Sequence, residues 1–388
     1  MSDVTLPGED SVARQSLAAK LVLVPLVCAL AGLIIRYLAY VGTIPDASPS
    51  QFVAALCEWD CNWYVGIAEA GYDVFPVAGM INAGNWAFFP AYPLLVGALA
   101  RLSGLPVLYV AFGLSTLLAM LAARLAWPLL GGSIRAYILF SVFLLAGPFA
   151  MYFTTFYTEV LFLLLTIGVF RALDRRRFLL AGLIAAVLSA TRIVGVFIVF
   201  AMLVEVWRAH RESGGTWRDF VPATLQRPDL VLAFALAPLG LFAYMAFLHL
   251  QVGDALAFSH VQRAWGRPLG NPLEFWWLAI SDFPKEGYWP TPSQQLATAT
   301  LVGLLACLAL IWRRRFAMAL YGIICLVLPL FAGMASTLRF TAGLAPVPLV
   351  LADLAGRSRI VAALSVLVLL VGGYFGTVGW LTGYLSLV

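Results

Sequence analysis

"RFLLAGLIAAVLSATRIVGVFIVFAMLVEVWRAH", residues 177–210, decides how this chain is read. It opens on the basic cluster "RALDRRR" (171–177) and closes in a second, "WRAHRESGGTWRDF" (207–220). Basic clusters flanking apolar segments mark the cytoplasmic side of a membrane. Residues 178–207 must then leave that side and return to it. Thirty residues are too few for two full spans, since each needs about twenty. They suffice for two short, half-depth helices broken near "SATRIVG" (189–195). Such a break is tolerated only where it is buried in protein or lines a polar cavity.

The rest of the chain agrees. Of 388 residues, 62% are apolar and 11% charged, against roughly 25% charged in soluble domains. Apolar runs of about twenty residues recur from residue 18 onward. The formal charge of +5 therefore reports orientation rather than nucleic-acid binding. With "WRRRF" (312–316) and "GRSR" (356–359) also placed inside, only Arg101, Arg263, Arg267, Lys285 and Arg339 of the basic residues fall outside. Arg36 and Arg192 lie within spans. The expected spans are 18–42, 106–124, 134–152, 157–172, the two short helices, 229–250, 296–312, 316–333, 338–355 and 360–381. Parity is kept if "FFPAYPLLVGALARLSG" (88–104) lies on the outer surface as an interfacial helix. The expectation is a single all-α polytopic membrane domain over 1–388, with about nine to eleven membrane helices. It has a cytoplasmic tail (1–17) and two large outer loops (43–105 and 251–295). The first seventeen residues lack a cleavage signature and are expected to be retained.

The first outer loop carries "CEWDCNWYVGIAEAGY" (57–72). If this is helical, Asp60 and Tyr64 share a face, as do Trp59 and Trp63, while Glu69 points away from Asp60. Tryptophan and tyrosine gather at headgroup level in any membrane protein, and an interfacial belt is the plainer reading. A carboxylate among aromatic rings also suits sugar chemistry, because ring faces pack on sugar C–H faces and the carboxylate can take a hydroxyl proton. Cys57 and Cys61 could meet across a turn, but two unlinked thiols are expected from the geometry a disulfide demands.

The second outer loop, "GDALAFSHVQRAWGRPLGNPLEFWW" (253–277), offers His260, Gln262, Arg263, Trp265 and Arg267. Arginine suits phosphate because its planar fork donates two parallel hydrogen bonds. Glu159 and Arg339 stand near the outer ends of spans, and Arg192 stands at the break. Ionisable groups at membrane depth are functional candidates, although each could snorkel or serve a structural pair. The chain has three histidines, no two of them at metal-ligand spacing.

These residues, in this order, resemble the GPI mannosyltransferase 2 (PIG-V type) family within the GT-C class of membrane glycosyltransferases. The resemblance rests on "EWDCNWYVGIAEAGY", "WAFFPAYPLL", "FYTEVLFLLL", "TRIVGV", "GDALAFSHVQRAWGR" and the late arginine of "TLRFTAG". It implies a GT-C fold, a polyprenyl- or dolichyl-phosphate sugar donor, a glycolipid or glycan acceptor, and an active site at the outer face. It also implies a catalytic acid in the first outer loop, a position that Asp60 matches. The donor phosphate is then expected at Arg339, Arg267, His260 and Arg192, and the sugar or acceptor among Trp59, Trp63, Tyr64, Trp265, Gln262 and Glu159. Some GT-C relatives use a divalent metal, but without an obvious second carboxylate no metal or other cofactor is expected here. Two features depart from the family pattern: the insertion "GYDVFPVAGMINAGNW" (71–86), and Phe340 where a tyrosine is more usual. The alanine- and arginine-rich style is read as bacterial, with the chain in the inner membrane and its site toward the periplasm. Sugar transfer carries over better than the GPI acceptor does. A transporter or flippase for lipid-linked sugars is the competing class, and inverted repeats with paired broken helices would mark it. A non-catalytic transferase subunit would be expected to lack the acid at position 60.

Overall fold

The computed structural model describes residues 9–76, 83–267, 269–283 and 290–384, without the side chains of 9–14 and Trp265. Among them the chain is helical throughout, with no strand. Five helices are long and apolar enough to cross a membrane: Gln15–Thr43, Val107–Ala126, Ile193–Glu212, Pro292–Trp312 and Arg359–Leu381. Two bent pairs raise this to seven, Pro228–Leu236 with Leu239–Val252 (41°) and Thr337–Gly343 with Pro346–Ala355 (67°). The expected count is reached only by adding shorter helices such as Ile134–Leu145, Phe178–Ser189 and Phe316–Leu330. This is a multi-pass membrane protein.

Its centre is the Glu159–Asp174 helix, buried on nearly every face. That is how a helix apolar all round is accommodated. It packs between Val107–Ala126 and Phe178–Ser189, while Glu9–Thr43 lies against Arg359–Leu381 and Ile134–Leu145. Leu23, Val27 and Ile34 on the first helix, and Leu364, Leu367 and Val368 on the last, face outward. Such contiguous exposed apolar surface is costly in water and neutral against lipid tails.

The break falls where the sequence places it. Phe178–Ser189 ends, and a 3₁₀ turn, Ile193–Phe197, leads into Ile198–Glu212. Only the first limb is short, however. The second runs through Arg208, His210 and Arg211, because its last turns have a solvated basic face that costs the helix nothing to continue. The segment expected at the outer surface forms a helix, Ala91–Ser103. Its Ala91 amide donates to the Ala190 carbonyl at the break, 3.0 Å away, satisfying one group that the interruption leaves without a helical partner. Gly97 lets this helix approach the Asp60–Ala70 helix, since a Cβ there would lie 2.4 Å from the Ala68 carbonyl oxygen.

Helix starts follow local chemistry. Thr291 and Gln294 form a capping box before Pro292–Trp312, and the Ser133 and Ser358 side chains cap Ile134–Leu145 and Arg359–Leu381. The insertion in the first outer loop is closed by a reciprocal clasp. The Asn85 amide donates to Asp73 Oδ2 at 2.9 Å, and the Asp73 amide donates to Asn85 Oδ1 at 3.0 Å. Residues 77–82 of that insertion lie outside the described set.

Candidate active site

Asp60 is the first residue of the Asp60–Ala70 helix, and the turn before it is held from several directions. Trp59 has φ 49° and ψ −113°, a conformation that bulky residues adopt only when the surroundings over-determine it. Those surroundings are identifiable. Tyr157 Oη donates to the Glu58 carbonyl at 2.9 Å, and Trp380 Nε1 donates to the Leu56 carbonyl at 3.1 Å. The Trp59 ring stands edge-on to Trp380, with centroids 4.6 Å apart. Cys57 and Cys61 form a disulfide across this turn, with Cα atoms 5.2 Å apart. This corrects the expectation of two free thiols. Residues 57–59 precede the helix rather than extending it, so the chain folds Cys57 back over the first turn.

Asp60 accepts a hydrogen bond from Arg339 Nη1 through Oδ2. Arg339 Nε lies 3.3 Å from Glu159 Oε1, and the same Glu159 oxygen accepts from Arg192 Nη1. The four groups form an alternating chain, Asp60–Arg339–Glu159–Arg192, whose formal charges cancel. Glu159 is 1% exposed, and Asp60, at 26%, is the most accessible member. Gly343 packs against the Glu159 stem, where a Cβ would meet Cγ at 3.0 Å. Ring faces cover the guanidinium groups: Arg192 sits 4.6 Å from the Phe340 centroid, and Arg339 sits 5.5 Å from both Phe340 and Tyr157. Phe340 thus supplies the π-face without the hydroxyl of a tyrosine.

Arg267 joins this chain through a shared partner. Its Nη2 and that of Arg339 each lie 3.4 Å from Ser336 Oγ. Ser336 is 1% exposed and holds φ 64°, a second strained non-glycine residue at the site. Among the described residues Arg267 has no carboxylate partner. Burial and the neighbouring Arg339 push its guanidinium pKa down, while Asp60 opposes them. Arg267, Arg192 and Gln262 line a cavity of about 320 Å³ with Phe89, Phe162, Phe258 and Phe340.

The structure thus brings Asp60, Arg339, Glu159, Arg192 and Arg267 together from five separate stretches of chain. Gln262 lies on the same cavity. His260 does not join them. It is exposed and pairs through Nδ1 with Asp254 Oδ2 at 2.7 Å, and that hydrogen bond holds the Asp254 carboxyl below the usual aspartate range. Trp63 stacks on Phe88, with centroids 5.6 Å apart. Tyr64 is buried, with its hydroxyl on Thr158 Oγ1 at 3.2 Å. The Trp265 side chain lies outside the described residues. Glu69 is exposed and remote in orientation, as helical periodicity requires. Ser336, Tyr157 and Trp380 were not legible as site residues, since a serine or an aromatic in an apolar run has no distinguishing pattern. Among the described residues no three His, Cys, Asp or Glu side chains gather as a metal site. A guanidinium lies between Asp60 and Glu159 where a shared cation would have to sit.

Fold and site define a class: a polytopic helical membrane protein with a buried, charge-balanced cluster at one end of its central helix. The chain is similar to GPI alpha-1,6-mannosyltransferase 2 of Mus musculus, with 27% identity over 222 residues. The match covers 53% of this chain and 43% of the mouse protein. No family model matches the chain. The chain thus spans less than half the length of the mouse protein it matches.

Proposed function

We propose that this chain moves a hexose, mannose first among candidates, from a polyprenyl- or dolichyl-phosphate donor to a glycolipid or glycan hydroxyl at the outer face of the membrane. In a bacterial inner membrane that face is the periplasmic one. The reaction is a single displacement with inversion. The acceptor oxygen attacks the anomeric carbon, the bond from that carbon to the phosphate oxygen breaks, the hydroxyl proton passes to Asp60, and the lipid phosphate leaves. The observation that carries this reading is the pairing of Asp60 with Arg339 beside Arg267, a cation without an acid partner among the described residues.

The charge arrangement refines the roles. Arg339 is already engaged by two carboxylates, so its main task is to position Asp60. Arg267 lines the cavity and has no carboxylate partner among the described residues, so it is the better grip for a phosphate, which a guanidinium can hold through two parallel hydrogen bonds. Stabilising the departing phosphate charge is the usual electrostatic share of such catalysis. Arg192, held by Glu159 at the cavity wall, adds positive potential there. Trp63 and Gln262 are the candidates that remain accessible for sugar contact. Trp59 and Tyr64 act through packing, and His260 clamps its own loop.

The transporter reading gains two bent helix pairs that the sequence did not reveal. Only the Thr337–Gly343 pair carries a member of the charged chain, so the two bends are not equivalent halves of one gate. The deciding assay uses purified protein in detergent with a radiolabelled polyprenyl-phosphate mannose and glycolipid acceptors. Transfer without sealed compartments supports a transferase. Movement of the donor across liposomes without any transfer supports the transporter.

A further inference from the structure

A second polar cavity lies at the other end of the Glu159–Asp174 helix, about 22 Å from Glu159 at 1.5 Å rise per residue. Its volume is about 370 Å³, and its wall includes Arg208, Arg313, Arg314 and Arg315 against two acids, Asp174 and Glu205. The floor is apolar, with Phe170 and Met318. Basic residues on this side serve topology in any membrane protein, and that alone would explain arginines on a turn. It does not explain why arginines from separate segments line one cavity.

The ion pairs show which cations are free. Arg208 is matched by Glu205 at 2.7 Å and Glu212 at 3.6 Å, and Arg313 is matched by Asp353. Arg315 reaches Asp174 only at 4.0 Å. Arg314 is exposed and has no ion pair or side-chain hydrogen bond among the described residues. Its backbone φ is 57°, in the left-handed region where glycine is the inexpensive choice. The turn between Pro292–Trp312 and Phe316–Leu330 therefore holds an arginine where its geometry favours glycine. The unmatched charge faces a cavity already partly screened from water.

The surroundings favour a lipid as the source of the anion. Trp312 and Phe316, which flank the lining arginines 313–315 in sequence, are 81% and 51% exposed. Leu308 and Ile311 continue the same apolar surface up the helix. An anion held by Arg314 and Arg315 is thus one or two residues in sequence from exposed apolar side chains, the combination that a phospholipid with its chains in the bilayer requires. Basic pockets between membrane helices suit anionic headgroups in this way. We propose that this cavity binds the headgroup phosphate of an anionic phospholipid, with Arg314 and Arg315 on the phosphate and Trp312 and Phe316 against the acyl chains.

The test uses full-length protein in mild detergent, with bound lipid measured by native mass spectrometry. Phosphatidylglycerol and phosphatidylcholine of identical chains are titrated separately, and inorganic phosphate is added as a competitor. Phosphatidylglycerol should bind at least about tenfold more tightly than phosphatidylcholine. Each arginine near such a surface contributes roughly fivefold, so Arg314→Gln should weaken phosphatidylglycerol by about that factor. Arg314→Gln with Arg315→Gln should weaken it by roughly thirtyfold. Trp312→Ser should weaken both lipids alike, and Arg218→Gln, exposed and not part of the cavity wall, should change neither. Arg314→Gln removes no packed or paired group, so its reading does not depend on folding of the double variant. Equal binding of the two lipids, or unchanged phosphatidylglycerol affinity in Arg314→Gln, overturns the proposal. Displacement of the lipid by millimolar inorganic phosphate also overturns it, by assigning the slot to a soluble anion.

Discussion

Substituting the two carboxylates of the buried chain one at a time should separate chemistry from architecture. Asp60 is a quarter exposed and shares Arg339 with Glu159. Asp60→Asn keeps shape and leaves Arg339 one carboxylate, so the stability cost is that of a charged hydrogen bond, about 1.5–3 kcal/mol, near the low end given the exposure. Transfer should fall by about 10²–10⁴-fold, the usual share of a general base. Glu159 is fully buried and serves two arginines. Glu159→Gln leaves Arg192 and Arg339 with Asp60 as their one acid in the chain, and loss of a buried ion partner costs about 3–5 kcal/mol. Adding Arg192→Met restores charge balance and should recover much of that loss, with a coupling energy of up to about 3 kcal/mol. The assay pairs sugar transfer from polyprenyl-phosphate mannose with unfolding of each variant in one detergent. Asp60→Asn should be the most inactive of the folded variants, and Glu159→Gln the least stable. A folded Asp60→Asn protein working within about tenfold of the parent would refute Asp60 as the base. Simple additivity in the Glu159/Arg192 double variant would refute the coupled chain.

Arg267→Ala should raise the KM for donor by roughly 10–100-fold with little effect on stability, and Arg267→Lys should recover only part, because the bidentate fork is lost; steady-state kinetics on both variants decides it. His260→Ala should stay within about threefold of parental transfer, since its contact is to Asp254 and not to the cluster. The Asp254 carboxyl is held below its ordinary value of 3.8 by His260, so that pair should protect loop amides above about pH 4 and lose its effect as pH falls through the lowered value; hydrogen exchange across 254–260 reads this. Replacing Cys57 and Cys61 by serine should cost about 2 kcal/mol and lower transfer by loosening the turn at Trp59, measurable against reductant treatment of the parent. Single cysteines at Glu69 and Leu269 should label from one side of the membrane and a cysteine at Trp217 from the other, and labelling of the first two from opposite sides would separate the outer loops.

The order of the apolar helices and the break at 189–195 followed from the sequence, whereas the bends inside 228–252 and 337–355 did not. Apolar run length and basic punctuation are local properties that a bilayer reads directly. The candidate acid was legible too, because Asp60 stands among aromatics in a segment that need not carry charge. What each charge does was decided only by tertiary structure. Arg339, read from sequence as a phosphate ligand, lies between two carboxylates, while Arg267 has no acid partner among the described residues. His260 turns to a neighbour six residues away, and Ser336 becomes the bridge between two guanidinium groups. The disulfide formed because the turn before Asp60 is not helical, and three contacts from distant segments hold that turn. Pairing of charges depends on which side chains approach within a few ångströms across sequence gaps that run from 33 residues for Glu159–Arg192 to 279 for Asp60–Arg339. In a medium that cannot solvate an unpaired ion, that approach fixes which charges are neutralised and which remain free to meet a substrate.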